Sequence, residues 1–256
     1  MSHATVDIRN VALVGDQGVG KTLLAEAMLF ASGAVRQKGS LARGTTVCDF
    51  DTLEKRLLHS LDVSCCHFET GPTTVNLVDT PGYADFTGRT LAALEATETA
   101  AVVVSAVDGV GPMARKLMEL ARERELCRLV VVNKIDRKEA RAAEVLAEIR
   151  EAFGKECLPL NLPAATNGAV IDCFFSPSDA PTATSSVALA HKEMVEQVVE
   201  VDETLMAQYL EQGESLSPEQ LHDPFETALR QGHLIPVCFV SAETGAGIDL
   251  LVRAIA

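Results

Sequence analysis

Gly15-Asp16-Gln17-Gly18-Val19-Gly20-Lys21-Thr22 stands between an apolar run, Val6 to Val14, and a segment in which Leu23, Leu24, Ala27, Met28 and Ala31 recur at helical spacing. A glycine-rich turn ending in Lys-Thr, with a strand before it and a helix after it, has the context of a phosphate-cradling loop. Glycines let backbone N–H groups wrap a chain of phosphates, and the start of the helix adds a partial positive charge. Lys21 then reaches the β and γ phosphates, and Thr22 offers its hydroxyl to Mg²⁺. Without those flanks the same octapeptide is an ordinary glycine turn, so the strand and the helix select the phosphate reading.

The surrounding pattern is α/β. Leu61 to Phe68 and Thr74 to Val78 read as two strands around a turn at Gly71-Pro72. Ala100 to Val107 and Leu129 to Val132 are short apolar runs, as in strands covered on both faces. Between them Gly111-Pro112 opens a helix that points Met113, Leu117, Met118 and Ala121 inward. The alternation predicts a P-loop NTPase fold, with a mostly parallel sheet and helices on both faces. After Asp136 the rhythm changes. A helix over Ala140 to Phe153 is followed by extended pieces at Cys157–Leu162 and Ala169–Phe175, then a polar loop from Ser176 to Ser186. A long helix is expected from about His191 to Gln212, and a shorter one over Pro218 to Gln231 capped by Ser217. The strand–helix pattern resumes at Leu234–Val240 and Ile248–Ala256. This divides the chain into a nucleotide-binding domain, residues 1–156 and 233–256, and an α+β insertion subdomain, residues 157–232, before the last strand.

Three further motifs sit at strand ends. Asp79-Thr-Pro-Gly82 follows the strand ending at Val78; there an acid can hold a metal's water shell, and Gly82 can bring its N–H close to a γ-phosphate. Alone, it is a turn. Asn133-Lys134-Ile135-Asp136 ends the next strand but one. The Asp136 carboxylate can accept the ring N–H and exocyclic amine of guanine, a donor pair that adenine lacks. The stem of Lys134 can cover the ring while Asn133 braces the phosphate loop. Ser241-Ala242-Glu243 ends the last strand, where backbone N–H groups can meet the guanine oxygen. In a parallel sheet these ends share one edge, so the order of the motifs points to a guanine-nucleotide site and disfavours ATP.

Composition narrows the partners. Lys plus Arg is 22 against 36 Asp plus Glu, a net charge of −14 that repels phosphate backbones and argues against independent nucleic-acid binding. The N-terminus lacks a basic start and an apolar core, and no apolar run approaches the ~18 residues that span a bilayer, so neither a secretory signal nor membrane association is expected. The seven cysteines are scattered without a Cys-x-x-Cys pair, which suits a reducing cytoplasm.

Val14 through Phe30, Gly44-Thr-Thr-Val-Cys-Asp-Phe50 and Asp79-Thr-Pro-Gly-Tyr-Ala-Asp-Phe86 resemble the GTPase domain of translational elongation factor G, and more closely its elongation factor G-like paralogue branch. The segments Leu158-Pro-Leu-Asn-Leu-Pro163 and Asp202-Glu-Thr-Leu-Met206 resemble that family's insertion. The resemblance implies GTP and GDP as ligands with Mg²⁺, hydrolysis of GTP, and work at the ribosome in the cytoplasm. Family members are several times longer, so the chain is expected to be an excised domain or a truncated product. Three departures stand out. Gly18 replaces the family's Asp, as in the paralogue branch. Leu57-Leu58-His59-Ser60-Leu61 aligns with the Arg-Gly-Ile-Thr-Ile of the first switch, leaving Ser60 as the hydroxyl for the metal. Tyr83 replaces the His that positions the attacking water, and a phenol cannot become a cation near neutral pH.

The resemblance thus assigns catalysis to Lys21, Gly82 and Tyr83, and metal binding to Thr22, Ser60 and Asp79. It leaves open a slow hydrolase, a GTP-binding regulatory switch with little hydrolysis, and a ribosome-protection or release GTPase. From His191 to Asp223 nine acids face a single base, Lys192. That stretch is a solvated helix face or a docking surface for a basic protein, and family likeness suggests the ribosomal stalk.

Overall fold

The apolar runs that read as strands are strands, and their alternating side chains build two cores. In the computed structural model, which describes residues 5–165, 168–178, 180–212 and 218–256, β1 (Ile8–Gly15) leads through the glycine loop into α1 (Lys21–Ala31). A short helix, α2 (Thr52–Leu57), precedes the hairpin of β2 (Ser64–Thr70) and β3 (Thr73–Asp79). Then come α3 (Thr87–Glu95), β4 (Thr99–Ser105), α4 (Pro112–Glu123), β5 (Cys127–Asn133) and α5 (Ala142–Phe153). The short strands β6 (Cys157–Pro159), β7 (Asn161–Pro163) and β8 (Val170–Asp172) follow, and then the helices α6 (Val187–Val199), α7 (Glu203–Gln212) and α8 (Pro218–Arg230). The chain returns through β9 (Ile235–Phe239) and α9 (Ile248–Ile255).

Seven strands form one sheet in the order β2-β3-β1-β4-β5-β9-β6, parallel except for the β2–β3 hairpin. Along β1, Val11 and Leu13 pack on one side with Leu24 and Met28 of α1 and Leu251 of α9; Ala12 and Val14 pack on the other with Leu94 of α3 and Leu117 of α4. Strand β5 alternates likewise, Leu129 and Val131 against Val130 and Val132. Period-two apolar alternation covered on both faces is what the continuous Val/Ala/Leu runs require. The expected P-loop α/β architecture, with helices on both faces, is the one observed.

The differences lie in the middle of the chain. The single long helix expected over 191–212 is two helices. Asp202 accepts from the backbone N–H groups of Thr204 (2.8 Å) and Leu205 (3.0 Å), so it starts α7 afresh rather than continuing α6. Ser186 caps α6 through Leu189 N–H at 3.1 Å. The extended piece at 157–162 is two strands in different sheets: β6 is the edge of the main sheet beside β9, whereas β7 pairs with β8. The expected cap Ser217 lies outside the described residues. Helix α2 has no counterpart in the sequence reading; Asp51 and Glu54 form a reciprocal capping box at its start.

Strand β7 is fastened to the main sheet by Asn161. Its fully buried amide donates to the Phe239 carbonyl at 3.1 Å and accepts from the Phe239 N–H at 2.7 Å. Farther out, the guanidinium of Arg253 on α9 lies 4.3 Å from the ring centre of Phe175. Because Asn161→Ala strips two buried backbone groups of partners, it is expected to cost about 2–4 kcal/mol in urea unfolding. A loss below 1 kcal/mol would show that this fastening is dispensable.

Candidate functional site

The C-terminal ends of β1, β3, β5 and β9 open onto one cleft, as a parallel sheet with this order dictates. Gln17, Gly18, Gly20, Lys21 and Thr22 line it on the loop side, and Lys134, Asp136, Ala242 and Glu243 line it at the other end. Lys21 is buried, with Nζ donating to the carbonyls of Gly15 (3.0 Å) and Asp16 (2.9 Å). Burial lowers its pKa to about 8, against the opposing pull of Asp79 and Asp16. Gly82 passes so near that a Cβ on it would sit 2.5 Å from Lys21 Nζ and 2.7 Å from the Gln17 nitrogen.

Gly15, Asp16 and Val19 contribute backbone and scaffolding instead of lining the cleft. The Asp16 carboxylate turns away and accepts from the N–H groups of Met113 (3.1 Å) and Ala114 (3.0 Å), capping the first turn of α4. Val19 is buried, and its carbonyl accepts from the Asn133 amide at 2.9 Å. The oxygen of the same amide accepts from Lys134 N–H (2.8 Å) and Ala242 N–H (2.9 Å). One buried side chain thus joins the phosphate loop to both loops at the far end. There the Ser241 hydroxyl donates to Asp136 at 2.6 Å, holding the carboxylate toward the cleft that it lines.

Hard oxygen donors collect below Lys21. The Thr22 hydroxyl donates to Asp79 Oδ2 at 2.7 Å and lies 3.2 Å from the Ser60 hydroxyl, which donates to Asp49 Oδ1 at 2.9 Å. Asp79 is buried, and its Oδ1 has no partner. Burial pushes its pKa up to about 6 despite the Thr22 bond and the charge of Lys21, with Asp49 adding to the rise. An orphaned carboxylate oxygen beside two hydroxyls and a second carboxylate is a donor set that suits Mg²⁺. Among the described residues no three His, Cys, Asp or Glu side chains converge to hold a metal, so any cation here relies on the hydroxyls.

Several residues escaped the sequence reading. Asp49 is buried and also accepts from Thr46 at 3.1 Å, though eleven positions separate it from Ser60. Glu26, on the buried face of α1, accepts from the N–H groups of Gly39 (2.8 Å) and Val47. Glu54 accepts from Leu61 (2.9 Å) and Asp62 (3.2 Å). These two buried glutamates fold the loop between α1 and β2, and an acid on an apolar helix stripe was the visible sign of the first. Lys38 Nζ reaches the carbonyls of Ala242 (2.8 Å) and Glu243 (2.6 Å), tying that loop to the far end of the cleft. Leu58 has a left-handed backbone at φ 56° and ψ 34°.

Fold and cleft together define a phosphate-loop nucleotide-binding domain. Residues 6–256 match the family described as the elongation factor Tu GTP binding domain. An elongation factor G-like protein of Mycobacterium tuberculosis is 36% identical over 95% of this chain, and an oxytetracycline resistance protein of Streptomyces rimosus is 32% identical over 96%. The chain spans 36% of the length of each of these relatives. A crystal structure of a Thermus thermophilus protein superposes with a TM-score of 0.86 at 35% identity, over 97% of this chain and 39% of that one. The chain belongs to the elongation factor Tu GTP-binding domain family, and within it is similar to elongation factor G-like proteins, as the motif resemblance implied.

Two substitutions probe the site without ligand. An Asp79 pKa raised to about 6 means that its charge costs the ligand-free fold stability as pH rises from about 4 through 6. Asp79→Asn is therefore expected to stabilise the ligand-free protein by roughly 2 kcal/mol at pH 7.5 and to be neutral near pH 4. Urea unfolding at the two pH values checks this, and an equal effect at both would sink it. Leu58→Gly is expected to leave stability within about 0.5 kcal/mol of native, because relief of the left-handed cost of ~1–2 kcal/mol offsets the freedom glycine adds to the unfolded chain. A loss above about 1 kcal/mol would mean that the exposed Leu58 side chain contributes packing of its own.

Proposed function

We propose that this domain binds GTP with Mg²⁺ and hydrolyses it to GDP and phosphate as part of a translational GTPase acting on the ribosome, in the cytoplasm. The observation that carries the reading is the buried, unpartnered Asp79 oxygen beside the hydroxyls of Thr22 and Ser60, directly below a desolvated Lys21. Thr22 and Ser60 would hold the cation, and Asp79 would anchor its water shell. The ion would supply charge neutralisation between the β and γ phosphates. Lys21 and the backbone N–H groups of Gly20 and Gly82 meet the growing negative charge on the phosphates. Asp136, held by Ser241, reads the ring N–H and amine of guanine, while Lys134 covers the ring and the Ala242–Glu243 loop faces the guanine oxygen. Gln17 and Gly18 wrap the phosphates by their backbone.

We assign residues 157–232 to an insertion that presents part of its acidity to a basic partner, such as a protein of the ribosomal stalk. Not all of that charge is available: Glu193 pairs with Arg150 at 2.8 Å and Glu200 with His233 at 2.9 Å, both against the body of the domain. A ribosome-protection or release task uses the same chemistry, and the 32% identity to a resistance protein keeps that reading alongside elongation.

Equilibrium binding and single-turnover hydrolysis test the proposal. GTP is expected to bind more tightly than ATP by about a thousandfold or more, since ATP leaves the Asp136 carboxylate unpaired. Hydrolysis should require Mg²⁺ and accelerate on adding ribosomes. Equal affinity for ATP, or binding indifferent to Mg²⁺, would overturn it.

A further inference from the structure

The rings of His59 and Tyr83 meet with centroids 4.6 Å apart at 46°. They come from different loops, and each is one residue from a group at the same end of the cleft. Ser60, next to His59, lies 3.2 Å from the Thr22 hydroxyl. Gly82, next to Tyr83, abuts Lys21 Nζ. Both rings line the cleft. The pair therefore spans the two loops that flank the position of a terminal phosphate.

The hydrogen-bond partner of His59 fixes its chemistry. Nδ1 lies 3.0 Å from the Leu57 carbonyl, and a carbonyl only accepts, so Nδ1 carries the proton. In the neutral ring Nε2 then keeps its lone pair. Hydrolysis of a phosphoanhydride needs a water held in line with the bond that breaks, by a group that accepts its hydrogen bond. At this end of the cleft Lys21 only donates, while the Thr22 and Ser60 hydroxyls donate to carboxylates and, in the reading above, turn their lone pairs to the cation. With Nδ1 held by the Leu57 carbonyl, Nε2 of this cleft-lining imidazole is the ring nitrogen left to accept.

We propose that His59 is a catalytic residue, orienting the attacking water through Nε2 while the Tyr83 ring steadies the imidazole. This rests on the hydrolytic reading above and adds a residue to it. In the step, the water oxygen bonds to the γ-phosphorus, and the bond to the bridging oxygen breaks with its electron pair leaving on GDP. One water proton passes to a γ-phosphate oxygen, so GTP⁴⁻ and water give GDP³⁻ and H₂PO₄⁻. His59 takes no net proton; it holds the water by a hydrogen bond.

The test uses single-turnover hydrolysis beside equilibrium binding of a fluorescent GTP, with and without ribosomes. His59→Phe keeps a ring against Tyr83 and loses the acceptor. It is expected to slow hydrolysis about a hundredfold while GTP affinity stays within about threefold. His59→Gln restores an acceptor at about the reach of Nε2 and should recover much of the rate. In the native protein, ¹⁵N imidazole shifts should report a protonated Nδ1 and an unprotonated Nε2. A His59→Phe rate within about twofold of native, a rate loss matched by lost affinity, or an Nε2–H tautomer would each overturn the proposal while leaving the GTPase reading intact. A native protein that binds GTP and never turns it over, even on ribosomes, would overturn both.

Discussion

Two opposite charges kept out of water organise this molecule. Lys21 and Asp79 are both buried under a loop of glycines, and burial pulls each toward its neutral form. Neither is fully compensated: Lys21 relies on two backbone carbonyls, and one Asp79 oxygen has none of the partners it needs. Such an arrangement is unfavourable for a ligand-free fold, and it persists because the sheet beneath is rigid and covered on both faces. In the proposed reading, phosphates and a cation would supply what is missing, and the tension would be affinity held in reserve.

Much of this was legible because sheet strands advertise themselves. Continuous runs such as Val102–Val104 and Val130–Val132 admit little but strands buried on both faces, and each motif at a strand end inherits its position from the sheet. The phosphate loop, the Asn133–Asp136 segment and Ser241 are brought together by that logic alone. What stayed hidden depends on contacts between residues distant in sequence. No periodicity shows that the Asp16 carboxylate caps α4, that Asp49 stands behind Ser60, or that Lys38 closes over Ala242 and Glu243. The break between α6 and α7 was hidden differently: the apolar stripe runs on through it, and only the side-chain bonds of Asp202 interrupt the helix.

The loop between α1 and β2 has little regular structure, yet it is not loose. Two buried glutamates supply acceptors to its backbone N–H groups from opposite ends, and Lys38 ties its leading part across the cleft. With that frame in place the turn carries a leucine in a left-handed conformation, a region that ordinarily favours glycine. Glu54, four residues before Leu58, closes the turn from the other side by accepting from Leu61 and Asp62.

Asn161 bonds both backbone groups of Phe239, and Ser241 lies two residues farther along the same strand end. Strand β7 and the loop after β9 therefore share one stiff rod of backbone, gripped at Phe239 and bearing Ser241 just beyond it. Mechanically this is a short lever with almost no slack. Whatever load the outer helices carry arrives within two peptide units of the carboxylate clasp between Ser241 and Asp136.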